Sequence, residues 1–456
     1  MTVPNDVDAD VEFGLLPGDE VLVQAAQELA ATAPSGWERL DAIFAFTTTA
    51  EISDVTVTMS DRVVGLPVPE PVLDVLRAHR AAAAGTDPGP WWRLALSVLV
   101  DDAVDIAFDY GADPFPPEHL FAPQAYAADV ADYPRAQLPV WLAAYLRHDG
   151  RQARPAQRAA AAAHEDRRRG IVAVPVDGLP ALPVLWSRWA VLAAAFTAAG
   201  APLGPRIMPG LATFDGAARS GAALYRLPGN RAVLSGGTWD APMLDAVYND
   251  GAAMPAFYRG APAWVSDDVL TVRAQRGLLS FCYWWDRDGW YCGQSPPIAD
   301  VVDALPAVRS ADALLDVLAV VLGDVDRDAA RRLLAAAAAG AVTRHAASTV
   351  FADADAALAQ LDLAGAVLPE LPVSQAVYRV AQVVARDEPD FPSQDLRADR
   401  LDTGWLVYLP SGPGDVVIGR TIFYVADDGV VEESSSPPSR HVPGFARRFQ
   451  ERMAAR

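Results

Sequence analysis

Lysine is absent from the 456-residue chain, and all 37 basic residues are arginine. A P-loop lysine and a Schiff-base lysine are therefore both excluded. Cysteine is nearly absent as well: only Cys282 and Cys292 occur. Two thiols with no nearby histidine do not make a metal site. They read as reduced, half-buried groups that could be cross-strand neighbours. No apolar run reaches the roughly 18 residues of a membrane span, and the most apolar helix, expected at 185–199, is interrupted by Ser187 and Arg188. The start, MTVPNDVDADVEFG, is acidic where a secretory signal is basic and then apolar. A cytoplasmic protein without membrane association is expected.

Groups for acid–base chemistry are also scarce. Between Asp166 and Arg344 there is no histidine, glutamate or lysine. The six histidines (His79, His119, His148, His164, His345 and His441) show no metal-ligand spacing and no HExxH. Ser235-Gly236-Gly237 and Arg219-Ser220-Gly221 fit neither G-x-S-x-G nor G-x-G-x-x-G, and read as turns. No catalytic residue, metal ligand or cofactor is assigned.

Negative charge is abundant and unevenly placed. The net charge is −21; residues 1–150 hold 7 Arg against 24 acids, a balance of −17. A nucleic-acid binder shows the opposite sign. The basic, alanine-rich stretch 151–169 lacks aromatics and reads as a connector helix. An acidic surface suits a basic protein partner, by steering and by contact.

At this length, with 52% hydrophobic residues, two or three domains are expected. The predicted class is α+β: tandem α+β units with antiparallel sheets and flanking helices, plus a small C-terminal α+β unit. The expected boundaries are 1–170, 171–370 and 371–456. In the first unit, periodicity predicts helices at 19–32 and 70–84, strands at 39–49 and 52–59, and a hairpin at 92–110. In the second it predicts a helix at 185–199, strands at 211–214, 222–227, 231–234 and 265–272, a short helix at 239–248 and a hairpin at 278–293. Both units run helix, strands, helix, hairpin and a proline-rich exit, which suggests a duplicated pattern. Helices follow at 310–322 and 325–339. The last unit reads as a helix at 374–386, strands at 404–409, 415–426 and 430–434, a linker SSSPPSRHVP and a final helix at 444–455.

Two hairpins are candidate contact surfaces. In the first, Leu94, Leu96, Val98 and Val100 share one side, as do Val104, Ile106, Phe108 and Tyr110. A period of two then places Asp105 and Asp109 together on the opposite face, with Asp101 and Asp102 at the turn. In the second, LLSFCYWWDRDGWYCG, Asp288-Gly289 marks the tight turn. Trp284 and Trp285 point to opposite sides, so one can be core and the other exposed. With Arg287 at the turn, they are of the residue types enriched in binding hot spots.

The segments that carry a family likeness lie at the two ends. The N-terminal unit resembles the YezG-like immunity proteins of bacterial polymorphic-toxin systems. The features are the order of elements, Asp101-Asp102 before Val-Asp-Ile-Ala-Phe-Asp-Tyr at 104–110, the proline segment, and YPRAQLPVWL at 133–142. The last unit is similar to YrhB-type small immunity domains: a short helix, Gly404-Trp405, Gly419-Arg420, and Asp-Asp-Gly before Val-Val-Glu at 427–432. Together these cover about half the chain, and the middle unit departs from both patterns. The resemblance implies toxin binding and neutralisation, and brings no catalytic residues. The expected function is non-catalytic capture of a basic toxin or effector through Asp101, Asp102, Asp105 and Asp109. The alternatives are an enzyme with an inter-domain site, or a scaffold that self-associates through the aromatic hairpin.

Overall fold

A computed structural model describes residues 20–101, 103–388, 391–410, 422–435 and 437–454. The chain is α+β, with three antiparallel sheets. The elements begin with α1 (Glu20–Ala30), β1 (Trp37–Phe46), β2 (Glu51–Met59), β3 (Val63–Gly65), α2 (Glu70–Ala82), β4 (Arg93–Leu99) and β5 (Val104–Asp109). Next come α3 (Pro123–Asp132), α4 (Val140–Arg147), α5 (Ala156–Arg168), β6 (Val174–Pro175) and α6 (Leu182–Ala198). The middle holds β7 (Gly204–Met208), β8 (Leu211–Asp215), β9 (Gly221–Leu227), β10 (Arg231–Gly237), α7 (Pro242–Tyr248), β11 (Phe281–Asp286) and β12 (Gly289–Cys292). Four helices follow: α8 (Ala311–Leu322), α9 (Arg327–Ala338), α10 (Arg344–Ser348) and α11 (Ala354–Leu363). The chain closes with α12 (Val373–Asp387), β13 (Arg397–Leu401), β14 (Gly404–Tyr408), β15 (Ile422–Ala426), β16 (Val431–Ser434) and α13 (Pro438–Ala454).

Contacts divide the chain into two compact units. The first takes the chain up to Arg154, together with 239–255 and 272–280; the second takes the rest. In the first unit the strand order is β3-β2-β1-β4-β5. Alternation does the sorting: Leu40, Ala42 and Phe44 of β1, Val55 and Val57 of β2, and Leu94, Leu96 and Val98 of β4 all face one core. Leu22, Ala25, Ala26 and Leu29 of α1, with Val72 and Leu76 of α2, close it. A second core joins Trp92, Phe115, Tyr126 and Trp141 to Leu244 and Tyr248 of α7.

Asp129 of α3 ties this unit together from a fully buried position. Its carboxylate accepts from Arg80 Nη2 at 2.6 Å, Trp92 Nε1 at 2.9 Å and the Thr48 amide at 3.0 Å. Arg80 also donates to the Trp91 carbonyl at 2.8 Å. The buried ion pair is thus hydrogen-bonded on several sides, the condition under which such a pair offsets its desolvation.

The second unit carries a seven-stranded sheet, β6-β12-β11-β10-β9-β8-β7. α6 shares its core, with Leu185, Trp189, Val191 and Leu192 at 1% exposure or less. Each such side chain contributes about 1.5–3 kcal/mol by burial. The hairpin β11–β12 adds to β10, the last strand of the β7–β10 meander, whereas β4–β5 adds to β1, the first strand of its own run. The shared order of elements therefore does not extend to strand pairing. Ser235-Gly236-Gly237 is not a turn but lies within β10. A Cβ on Gly236 would fall 2.4 Å from both the Gly221 carbonyl oxygen and the Phe281 ring, so only glycine permits this approach. The strand expected at 265–272 is absent; 3-10 turns span Ala263–Ser266 and Val272–Arg276.

The four-stranded sheet β13-β14-β15-β16 has a helix on each face. Val380 and Val384 of α12 meet Val407, Phe423 and Val425, while Phe445, Phe449 and Met453 of α13 meet Tyr424 and Ala426. Residues 438–443, expected in a linker, begin α13, with Pro443 inside the helix. Of the strand expected at 415–426, residues 415–421 lie outside the described residues, as does the Gly419-Arg420 pair.

Candidate partner-binding surface

Helices α1 and α2 close one face of the first sheet, and the register defines the composition of the other. One row across it reads Gly65, Thr56, Asp41, Ser97, Asp105. The next reads Asp54, Ile43, Ala95, Ala107, and the third Ile52, Ala45, Arg93, Asp109. The third row joins the second core through Ala45 and Ile52. In the first two rows Ile43, Ala95, Ser97 and Ala107 are half-buried, and apart from Ile43 their small side chains make a low platform.

Charge on this platform is only partly answered. Arg39 binds Asp41 at 2.8 Å, and Arg93 Nη1 binds Asp109 Oδ2 at 2.8 Å. Asp109 Oδ1 also accepts the Gly111 amide at 2.8 Å. Arg93 Nη2 lies 3.3 Å from His119 Nδ1, and burial, followed by the Arg93 charge, holds the His119 imidazole below its ordinary value. That leaves Asp54 and Asp105, both exposed and without a cationic partner among the described residues. Asp101 is exposed at the turn, where its Oδ1 accepts the Ala103 amide at 3.3 Å. Asp102 lies outside the described residues.

The expected acidic face is therefore rearranged. Asp105 and Asp109 do share a face, but Asp109 is held by Arg93. Asp54 and Asp41 reach the same face from β2 and β1. The alternation Ile52, Asp54, Thr56, Thr58 already set Asp54 apart from Val55 and Val57, but only the pairing of β1 with β4 puts it on the same sheet face as Asp105, three strands away.

The aromatic hairpin is core. Trp284 and Trp285 do point to opposite sides, yet both are covered, at 1% and 6% exposure. Trp285 packs edge-on to Trp290 with centroids 5.5 Å apart, and Trp290 Nε1 donates to the Pro180 carbonyl. Neither indole offers the exposed ring expected from the sequence, and self-association through them has no surface to use. Arg287 is exposed at the turn, with φ 62°. The two-residue turn is Arg287-Asp288, closed by Asp286 and Gly289, one residue earlier than the Asp288-Gly289 signal suggests.

Cys292 pairs across with Tyr283, which places Cys282 on the opposite face of the sheet. The two thiols are buried apart, and burial raises both above the usual thiol range. Among the clefts of the second unit, one of 190 Å³ is lined by Arg332, Leu333, Met453, His345, Thr349 and Gln450 among alanines. Another, of 350 Å³, has Asp355, Asp362 and Glu370 near Arg344 and Arg400. Arg400 grips Asp427 at 2.7 and 2.8 Å, and Arg344 binds Asp355 at 2.6 Å. In the first cleft the Thr349 hydroxyl donates to the Ala346 carbonyl at 2.8 Å. Among the described residues no cluster of three metal-ligating side chains occurs, and no helix is long and apolar enough to cross a membrane. Neither the known protein-family models nor the curated protein sequences give a match to this chain.

Proposed function

We propose that this chain is a non-catalytic binding protein of the immunity type. It captures a toxin or effector with a basic surface and occludes it, acting in the cytoplasm. The carrying observation is the sheet face on which Asp54 and Asp105 stand exposed without a cationic partner among the described residues. A charge held ready on a rigid sheet loses little on docking, steers a basic partner towards it, and repels acidic competitors. The −17 balance of residues 1–150 has the sign that suits a basic partner. The likeness of the two ends of the chain to immunity families supports the same reading.

The test is co-purification of the tagged chain from its native host at about 0.05 M and about 0.5 M salt, where the Debye length shrinks several-fold. The partner recovered is then expressed with and without this chain. The reading expects a basic partner, released by salt, whose toxicity this chain suppresses. A partner that is acidic or harmless would overturn it.

A further inference from the structure

Strand β5 is the edge of the first sheet. The Leu99 amide donates to the Ala103 carbonyl at 2.9 Å, which fixes Leu99 and Ala103 as a hydrogen-bonded pair. Antiparallel pairs alternate, so the N–H and C=O groups of Asp105, Ala107 and Asp109 turn towards β4. Those of Val104, Ile106 and Phe108 turn outward, and no described residue bonds to them. The register of β4 with β5 runs without a bulge, and β5 contains no proline and no basic residue. It thus lacks most of the devices by which edges are blunted.

The side chains along this edge are sorted by face. Val104, Ile106 and Phe108 lie on the core side but remain half-buried, so the apolar layer is unfinished there. Asp105 projects from the opposite face and is exposed. We infer that β5 accepts an added strand from the partner, an extended segment in which basic and apolar residues alternate. Its basic side chains would fall opposite Asp105, Ala107 and Asp109, and its apolar ones beside Val104, Ile106 and Phe108. Charge selects this occupant. Residues 1–19 of the chain itself carry five acids and no base, and a second copy would set one acidic edge against another. The inference rests on the proposed binding function and names how the partner is held.

The test uses two eight-residue peptides of the same composition, one alternating Arg and Val, the other with four Arg followed by four Val. Each is titrated into the full chain. The decisive variants are Val104→Pro and Ile106→Pro: each removes an outward N–H while leaving every β4–β5 hydrogen bond, a place where edge strands tolerate proline. Asp101→Asn with Asp105→Asn tests the charge alone, and thermal unfolding shows which variants stay folded. Strand addition predicts that the alternating peptide binds better, and that one folded proline variant loses at least about tenfold in affinity. If both peptides bind equally, lose affinity with the charge variant and ignore the prolines, strand addition fails while the acidic-surface reading stands. If neither binds, or if only a dimer of this chain is lost in the proline variants, the inference fails outright.

Discussion

Removing the Asp129 carboxylate is the sharpest test of how the first unit is held. Asp129→Ala strips three donors of their acceptor: Arg80 Nη2, Trp92 Nε1 and the Thr48 amide. The Arg80 side chain is 5% exposed, so its charge stays buried without a counter-ion. Breaking a buried pair from one side costs about 3–5 kcal/mol, a large part of the roughly 5–15 kcal/mol that holds a domain folded. Adding Arg80→Met removes the orphaned charge, and the double variant should recover about half of that loss or more. Urea unfolding, followed by tryptophan fluorescence, reads the first-unit transition in each variant. A single variant that loses less than about 1 kcal/mol would refute the reasoning. So would a double variant whose loss is the sum of its two singles.

Three further outcomes follow from the same physics. The His119 imidazole is held below its ordinary value, so the unfolded chain binds the extra proton first as pH falls below ~6.5; first-unit stability should be complete above that pH and decline below it, and His119→Gln should flatten the decline relative to the wild type, equal slopes speaking against it. Arg287 holds φ 62° at a hairpin turn, so Arg287→Gly should raise second-unit stability by about 0.5–1 kcal/mol, and a lower thermal midpoint would contradict that. Cys282 and Cys292 lie on opposite sheet faces, so oxidant should leave them unbridged and a thiol reagent should reach them only after unfolding; fast labelling of Cys282 in the native protein would be inconsistent with its burial.

Much of the α+β architecture could be read from local pattern. β4 alternates cleanly, with Leu94, Leu96 and Val98 buried in the core under α1 and α2 and Arg93, Ala95 and Ser97 half-buried on the other side. β13 could not be read: RADRL has no apolar face, and its place is set by pairing with β14. The segment 265–272 has strand-like valines, but the Asp267 carboxylate accepts the Val269 amide at 2.9 Å and its carbonyl accepts the Thr271 hydroxyl at 3.0 Å. Those local bonds compete with a ladder and hold a turn. The surface was half legible. Alternation placed Asp105 opposite the core, but the rows that set Asp41 and Asp54 on the same sheet face depend on pairing between β1 and β4, some fifty residues apart in sequence. Alternation also separated Trp284 from Trp285, and could not show that both faces of that sheet are covered.

The central claim is that the open face of the first sheet receives a basic partner. The most direct measurement is titration of the co-purified partner into three proteins: the wild type, Asp54→Arg with Asp105→Arg, and a control with Asp312→Arg and Asp324→Arg. Both double variants change the net charge equally, and the control acids are exposed on the second unit. The control should bind as the wild type does, while the platform variant should lose at least about a hundredfold in affinity and most of its salt dependence. Equal weakening by both variants, or none by either, would contradict it.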